Sequence, residues 1–91
     1  RLLSSLDNME VRLILSGALH LQAKFAEAVA ECETLVERHP GFFPAYLQLG
    51  ESLESLGKFD RAQRVYRALL AEGPDPVIEA SARRRLGVLL E

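Results

Sequence analysis

An all-α architecture follows from three features of the sequence. β-Branched residues are scarce, with six Val, two Ile and one Thr, whereas Ala and Leu together contribute 28 of the 91 residues. Small and straight-chain side chains lose little freedom in a helix, so this balance favours helix over strand. Pro and Gly gather at Pro40-Gly41, Gly57-Lys58 and Gly73-Pro74-Asp75-Pro76, and they cut the chain into segments of about 12 to 16 residues, a normal helix length. Between the breaks, apolar residues recur at the three- and four-residue intervals of a buried helical stripe.

Each segment has its own signature. Asp7-Asn8-Met9-Glu10 places a capping acid three residues before a glutamate, which starts a helix at about 8 and carries it to about 22. Its apolar side holds Val11, Leu15, Ala18 and Leu19, with Ile14 and Leu21 nearby. From about 25 to 38 the stripe is Phe25, Ala28, Val29, Cys32, Leu35 and Val36, opposite Glu27, Glu31 and Glu37. A third segment, about 44 to 56, stacks Tyr46, Leu49, Gly50, Leu53 and Leu56. The fourth, about 59 to 72, stacks Phe59, Ala62, Val65, Tyr66, Leu69 and Leu70 over a basic face of Arg61, Arg64 and Arg67. A last helix, about 76 to 90, carries Ile78, Ala82, Leu86, Leu89 and Leu90, and residues 1–7 read as the end of a preceding helix or a cap.

Composition bounds the function. The chain is 48% hydrophobic and 26% charged, and Leu, Ile, Val and Phe supply 29 residues, too many for a disordered tail. A net charge of -2 gives no general field for nucleic acid, so none is expected as a partner. The lone Cys32 excludes an internal disulfide framework and a cysteine-rich zinc site. No apolar run approaches the roughly 20 residues of a membrane span. One cysteine of buried character leaves the compartment open between cytoplasm and periplasm.

The chain also repeats itself. At an offset of 34, residues 9–40 align with 43–74 without a gap, and eight of the 32 positions are identical. The pairs are Leu13 with Leu47, Leu15 with Leu49, Leu19 with Leu53, Lys24 with Lys58, Phe25 with Phe59, Ala28 with Ala62, Leu35 with Leu69 and Pro40 with Pro74. Most are core or turn positions. In this the chain resembles the tetratricopeptide repeat family, whose 34-residue helix–turn–helix unit has an aromatic and Leu-Gly early, then Ala, an aromatic and Pro. The second unit, 43–76, carries Tyr46, Leu49-Gly50, Leu53, Gly57, Phe59, Ala62, Tyr66 and Pro74. The first, 9–42, keeps Leu15, Leu19, Phe25, Ala28 and Pro40 but has Arg12, Ser16 and Cys32 where the pattern prefers aromatic, glycine and aromatic. After Asp75 the register slips by three, and Arg83, Leu86-Gly87 and Leu90 resemble the first helix of a third unit over 77–91.

The resemblance implies a right-handed superhelical stack of antiparallel helix pairs, a single domain over 1–91. Small residues (Ala28, Ala62 and Gly50) would let helices approach, Phe25 and Phe59 would plug the hairpins, and Pro40 and Pro74 would end them. No single pair buries its apolar face alone, so stacking supplies the stability. The last helix then offers Leu86, Leu89 and Leu90 for a cover, which makes self-association one expectation.

Catalytic constellations are thin. His20 and His39 fall in different elements without metal-ligand spacing, Ser4-Ser5 and Ser52 have no base in the sequence nearby, and the glycines are scattered singly. Cys32 reads as a small buried hydrophobe. No cofactor, no metal and no enzymatic activity are expected. The Arg61-Arg64-Arg67 stripe, with Arg83-Arg84-Arg85, reads as a solvated face rather than a phosphate site. Glu27, Glu31, Glu33 and Glu37 form an acidic counterpart suited to pairing between molecules.

The resemblance further implies that first helices of successive units line a concave groove for a peptide or partner protein. In this register the groove residues are Glu10, Leu13, Gly17 and His20, then Leu47, Gln48, Glu51 and Glu54, then Arg84 and Val88. Leu13, Gly17 and Gln48 depart from the Lys and Asn clamp some members use for a terminal carboxylate. The expected ligand is a peptide with apolar anchors and some basic residues. Two other roles compete with this non-catalytic scaffold: homo-oligomer assembly, and docking or regulation within a longer enzyme, which an opening Arg1 without initiator Met fits.

Overall fold

The computed structural model describes residues 8–90. They form α1 (Met9–Leu21), α2 (Phe25–Arg38), α3 (Phe43–Ser55), α4 (Phe59–Ala71) and α5 (Pro76–Leu90), with no strand among the described residues. The helices fall within one or two residues of the expected segments. The expected helix end over 1–7 lies outside the described residues.

Local chemistry sets the helix ends. α1 is capped by Asn8, whose Oδ1 accepts the Glu10 N–H at 2.7 Å; the expected capping residue, Asp7, is its neighbour. Asn and Asp cap equally well, so the sequence alone does not decide which of two adjacent residues takes the position. At the start of α5, Asp75 accepts the Ile78 N–H at 2.9 Å, and Pro76 occupies a first-turn position where its missing donor costs nothing.

The two hairpin turns are copies of one another. The Lys24 N–H reaches the Leu19 carbonyl at 2.8 Å and the Ala23 N–H reaches His20 at 3.0 Å. In the second hairpin Lys58 reaches Leu53 at 2.9 Å and Gly57 reaches Glu54 at 2.9 Å. This pair of bonds closes a helix end through one left-handed residue. That residue is Gly57 at φ 78° in the second turn and Ala23 at φ 62° in the first.

Each helix packs on its sequence neighbours. α1 also touches α3, and α3 touches α5, whereas the backbones of α2 and α4 stay apart. The first helices of the hairpins therefore make a tight inner row and the second helices a splayed outer row. The stack curves with α1, α3 and α5 on the inside. The resulting body is elongated, 46 × 28 × 18 Å.

The core runs along the stack as Val29, Cys32, Tyr46, Leu49, Leu53, Ala62, Tyr66, Leu69 and Ala82. The repeated pairs Ala28 with Ala62 and Leu35 with Leu69 are all fully buried, and each such leucine contributes roughly 2 kcal/mol of burial. Gly50 is buried because a Cβ there would run into the Tyr66 ring. One repeat earlier the same two positions are Ser16 and Cys32, both fully buried. A slightly larger residue on the inner helix meets a much smaller one on the outer helix, so volume is balanced in both units.

Several expected core residues lie elsewhere. In α1 the only buried side chain is Ser16; Val11, Ile14, Leu15 and Leu21 are all exposed. Among the described helices, α1 has neighbours on one side only, so part of its apolar surface is left uncovered by them. Phe59, expected as a plug, is 51% exposed, whereas its counterpart Phe25 is half-buried with its ring edge against His20, centroids 5.0 Å apart. Leu86 and Leu89 pack toward the core, while Leu90 is exposed.

Candidate functional site

Curvature gives the inner row its shape. Between α1 and α3 lies an open depression of about 510 Å³ lined by Ile14, Gly17, Ala18, His20, Leu21, Gln48 and Glu51. Four of the expected groove residues, Gly17, His20, Gln48 and Glu51, line this one hollow. Leu13 and Leu47 are half-buried beside it, and Leu47 packs against the core. Glu10 stands exposed near the start of α1. Arg84 and Val88 are exposed on α5 and are not part of the hollow. Sequence reasoning missed Ile14 and Leu21, which are 71% and 88% exposed at the rim; apolar periodicity assigns such residues to a core whichever way they face.

Gly17 leaves the floor open, since no atom lies within 4 Å of where its Cβ would stand. His20 forms one wall and ties three helices together. Its Nδ1 lies 3.1 Å from the Ser52 hydroxyl of α3, and its ring meets Phe25 of α2 edge-on. Ser52 therefore has a base beside it after all. The serine is fully buried, so the pair acts as an interhelical tie rather than offering its oxygen to a substrate.

The acidic stretch of the groove is balanced from within. Arg85 of α5 places Nε 3.3 Å from Glu51 and Nη1 3.5 Å from Glu54. The buried Tyr66 also donates its hydroxyl to Glu54. Burial first, and this bond to a carboxylate second, push the Tyr66 phenol well above its ordinary range. Glu51 and Glu54 are thus carboxylates already engaged by a guanidinium, not two free charges. The sequence shows Arg85 only as one of three consecutive arginines; the helix turn that aims it at α3 is a tertiary fact.

The outer charges are also matched inside the chain. Arg61 of α4 reaches Glu33 of α2 at 2.6 Å, and Arg12 of α1 reaches Glu31 at 3.2 Å. The opposed stripes expected to pair between molecules are joined in part within one. Arg64 and Arg67 remain exposed. Cys32 is sealed between α1 and α3, and its thiol is pushed up to about 11, chiefly by burial, with Ser16 offsetting part of the effect. It is a packing residue with no thiolate to offer near neutral pH.

Among the described residues, no group of three or more His, Cys, Asp or Glu side chains is placed to hold a metal ion, and no helix is long and apolar enough to cross a membrane.

Stacked helical hairpins with first helices on the inside, related by a 34-residue repeat, define a repeat scaffold. The tetratricopeptide repeat family model matches residues 7–86, and the chain belongs to that family. Repeats of this family generally mediate protein–protein interaction, and the family is typically a non-catalytic scaffold. No curated protein matches the chain.

Proposed function

We propose that the chain is a non-catalytic scaffold that holds a segment of a partner protein in the groove formed by α1 and α3. The observation that carries this reading is the hollow between them. It pairs exposed apolar side chains, Ile14 and Leu21, with the polar ends of His20, Gln48 and Glu51. Exposed apolar surface rimmed by polar groups is the usual form of a protein-binding patch. A ligand would seat an apolar side chain against Ile14, Ala18 and Leu21 and direct a donor to Gln48 or the outer oxygen of Glu51. Because Arg85 occupies Glu51 and Glu54 from the inside, apolar anchoring takes precedence over the basic character expected from sequence.

The test is affinity capture from the native source with three forms of the chain. The wild type and an outer-face control, Arg64→Glu, should retain the same partner. Ile14→Ser combined with Leu21→Ser should lose it while keeping the wild-type circular dichroism spectrum. Retention by the double variant would overturn the groove assignment.

A second reading, self-association, draws on the exposure of Val77, Val88 and Leu90 along α5. Of the three residues expected to drive it, Leu86 and Leu89 pack toward the core, which leaves Leu90 with those two valines. This reading calls for concentration-dependent sedimentation that Val88→Asp abolishes.

A further inference from the structure

The hollow between α1 and α3 has two unlike walls. α1 gives it Ile14, Ala18 and Leu21 around the bare Gly17, whereas α3 gives it Gln48 and Glu51. The 34-residue register sharpens the contrast: Ile14, Gly17 and Leu21 take the places of Gln48, Glu51 and Ser55. These positions look outward wherever they fall in the stack. α3 has helices on both sides, yet Ser55 is exposed and Gln48 and Glu51 are partly so. The exposure of Ile14 and Leu21 is therefore a property of the groove and not of the place of α1 in the row.

The polar wall lacks a donor more than it lacks a charge. Arg85 bridges Glu51 and Glu54, at 3.3 Å and 3.5 Å. Glu54 has a second, neutral donor in the Tyr66 hydroxyl. Glu51, one turn earlier on the same helix, has no second donor among the described residues, and the Gln48 side chain has no hydrogen bond there at all.

We infer that the hollow takes an aromatic side chain carrying a neutral donor, tyrosine or tryptophan, from the partner segment; this rests on the groove reading above. The ring would lie over Gly17, where a Cβ would meet no atom within 4 Å. Ile14 and Leu21, 71% and 88% exposed, would cover its body, and its O–H or N–H would go to Glu51 or Gln48. Such side chains join an apolar body to a polar tip, as the two walls require. Leucine or phenylalanine would cover the apolar wall but take water from Glu51 and Gln48 without replacing it. Lysine or arginine would bring a second cation beside Arg85, and that repulsion offsets what Glu51 offers. The chain makes the favoured bond once already, with Tyr66 on Glu54.

The probes are N-acetyl amides of single amino acids, titrated into the isotope-labelled whole chain and followed by amide chemical shifts. The tyrosine and tryptophan amides should move the Gly17 backbone and Gln48 side-chain signals along saturable curves. The phenylalanine amide, which lacks only the donor, should bind roughly threefold or more weakly than the tyrosine amide, the worth of one hydrogen bond. The leucine and lysine amides should bind more weakly still. Gly17→Leu fills the hollow from a position with open space, so it should keep the wild-type thermal melt and abolish these shifts. The inference is overturned by equal or tighter binding of the phenylalanine, leucine or lysine amide, by no saturable shift with either aromatic donor, or by unchanged shifts in Gly17→Leu. The groove reading fails separately, when Ile14→Ser with Leu21→Ser still captures the partner. A leucine amide preferred at Gln48 would remove the aromatic anchor and leave the groove standing.

Discussion

Three residues show how local chemistry is tuned one position at a time. Ala23 sits at φ 62° where its repeat equivalent is Gly57. The left-handed region costs an ordinary residue about 1–2 kcal/mol, and part of that is recovered because glycine loosens the unfolded chain. Ala23→Gly is therefore expected to stabilise the protein by roughly 0.5–1 kcal/mol, and Gly57→Ala to destabilise it by a similar amount, in urea denaturation. Gly50→Ala drives a methyl into the Tyr66 ring and should cost about 1–3 kcal/mol by overpacking; adding Tyr66→Leu should return part of the loss. Cys32 offers a pH test. Its thiol rises from 9.0 to about 11 on folding, so the folded chain holds its proton more tightly than the unfolded one. Stability from this group is complete below about pH 9 and is lost as pH rises toward 11, a change on the order of 2–3 kcal/mol. Tyr66 shifts in the same direction. Denaturant titrations between pH 8 and 10.5 should show falling stability, with a shallower fall in Cys32→Ala.

At the scale of the element, all five helices are legible in the sequence. The buried face is legible in α2, α3 and α4 and only in part in α1 and α5, where Ser16 and Ala82 are the only buried residues. Ala28, Val29, Cys32 and Leu35 of α2, and Tyr46, Leu49, Gly50 and Leu53 of α3, are buried where a helical stripe places them. Periodicity reads correctly there because each helix is covered on two sides. α1 carries a stripe of the same kind, yet Val11 and Leu15 face outward and Ser16 is the residue sealed in. The signal that finds Ser16 is repeat register, which sets it opposite Gly50. The groove divides in the same way. Gly17, His20, Gln48 and Glu51 follow from register, whereas the engagement of Glu51 and Glu54 by Arg85 depends on the rotation of α5, which no local pattern encodes. Those ion pairs are half-exposed and longer than the charge-assisted optimum, so Arg85→Gln should cost no more than about 1 kcal/mol. Glu54→Ala should cost more, because it strips the buried Tyr66 hydroxyl of its acceptor. Thermal melts at low and high salt separate the two: the Arg85 effect should shrink with salt and the Tyr66 part should not.

The whole molecule is a row of nearest-neighbour contacts, and its stability is distributed accordingly. Every residue of the buried core cluster belongs to α2, α3, α4 or α5. α1 contributes one buried side chain, a serine whose hydroxyl is turned back to its own helix at Leu13, 2.8 Å away. Among the described residues, α1 is held by the His20–Ser52 tie, the Arg12–Glu31 pair and partial burial against α2 and α3. α3 and α4, by contrast, share Leu53, Tyr66 and Leu69, all fully buried. Opening should therefore begin at α1, with the α3–α4 hairpin last to yield. Hydrogen exchange at neutral pH should show the α1 amides exchanging at least tenfold faster than those of α3 and α4. His20→Ala should speed exchange in α1 without changing protection in α4. Uniform protection across all five helices would mean that the stack opens as one unit. The placement matters for function because the same helix supplies Ile14, Gly17 and Leu21 to the groove. A ligand that bridges α1 and α3 would stabilise the weakest joint of the stack, so slowed exchange in α1 is the expected mark of a bound partner.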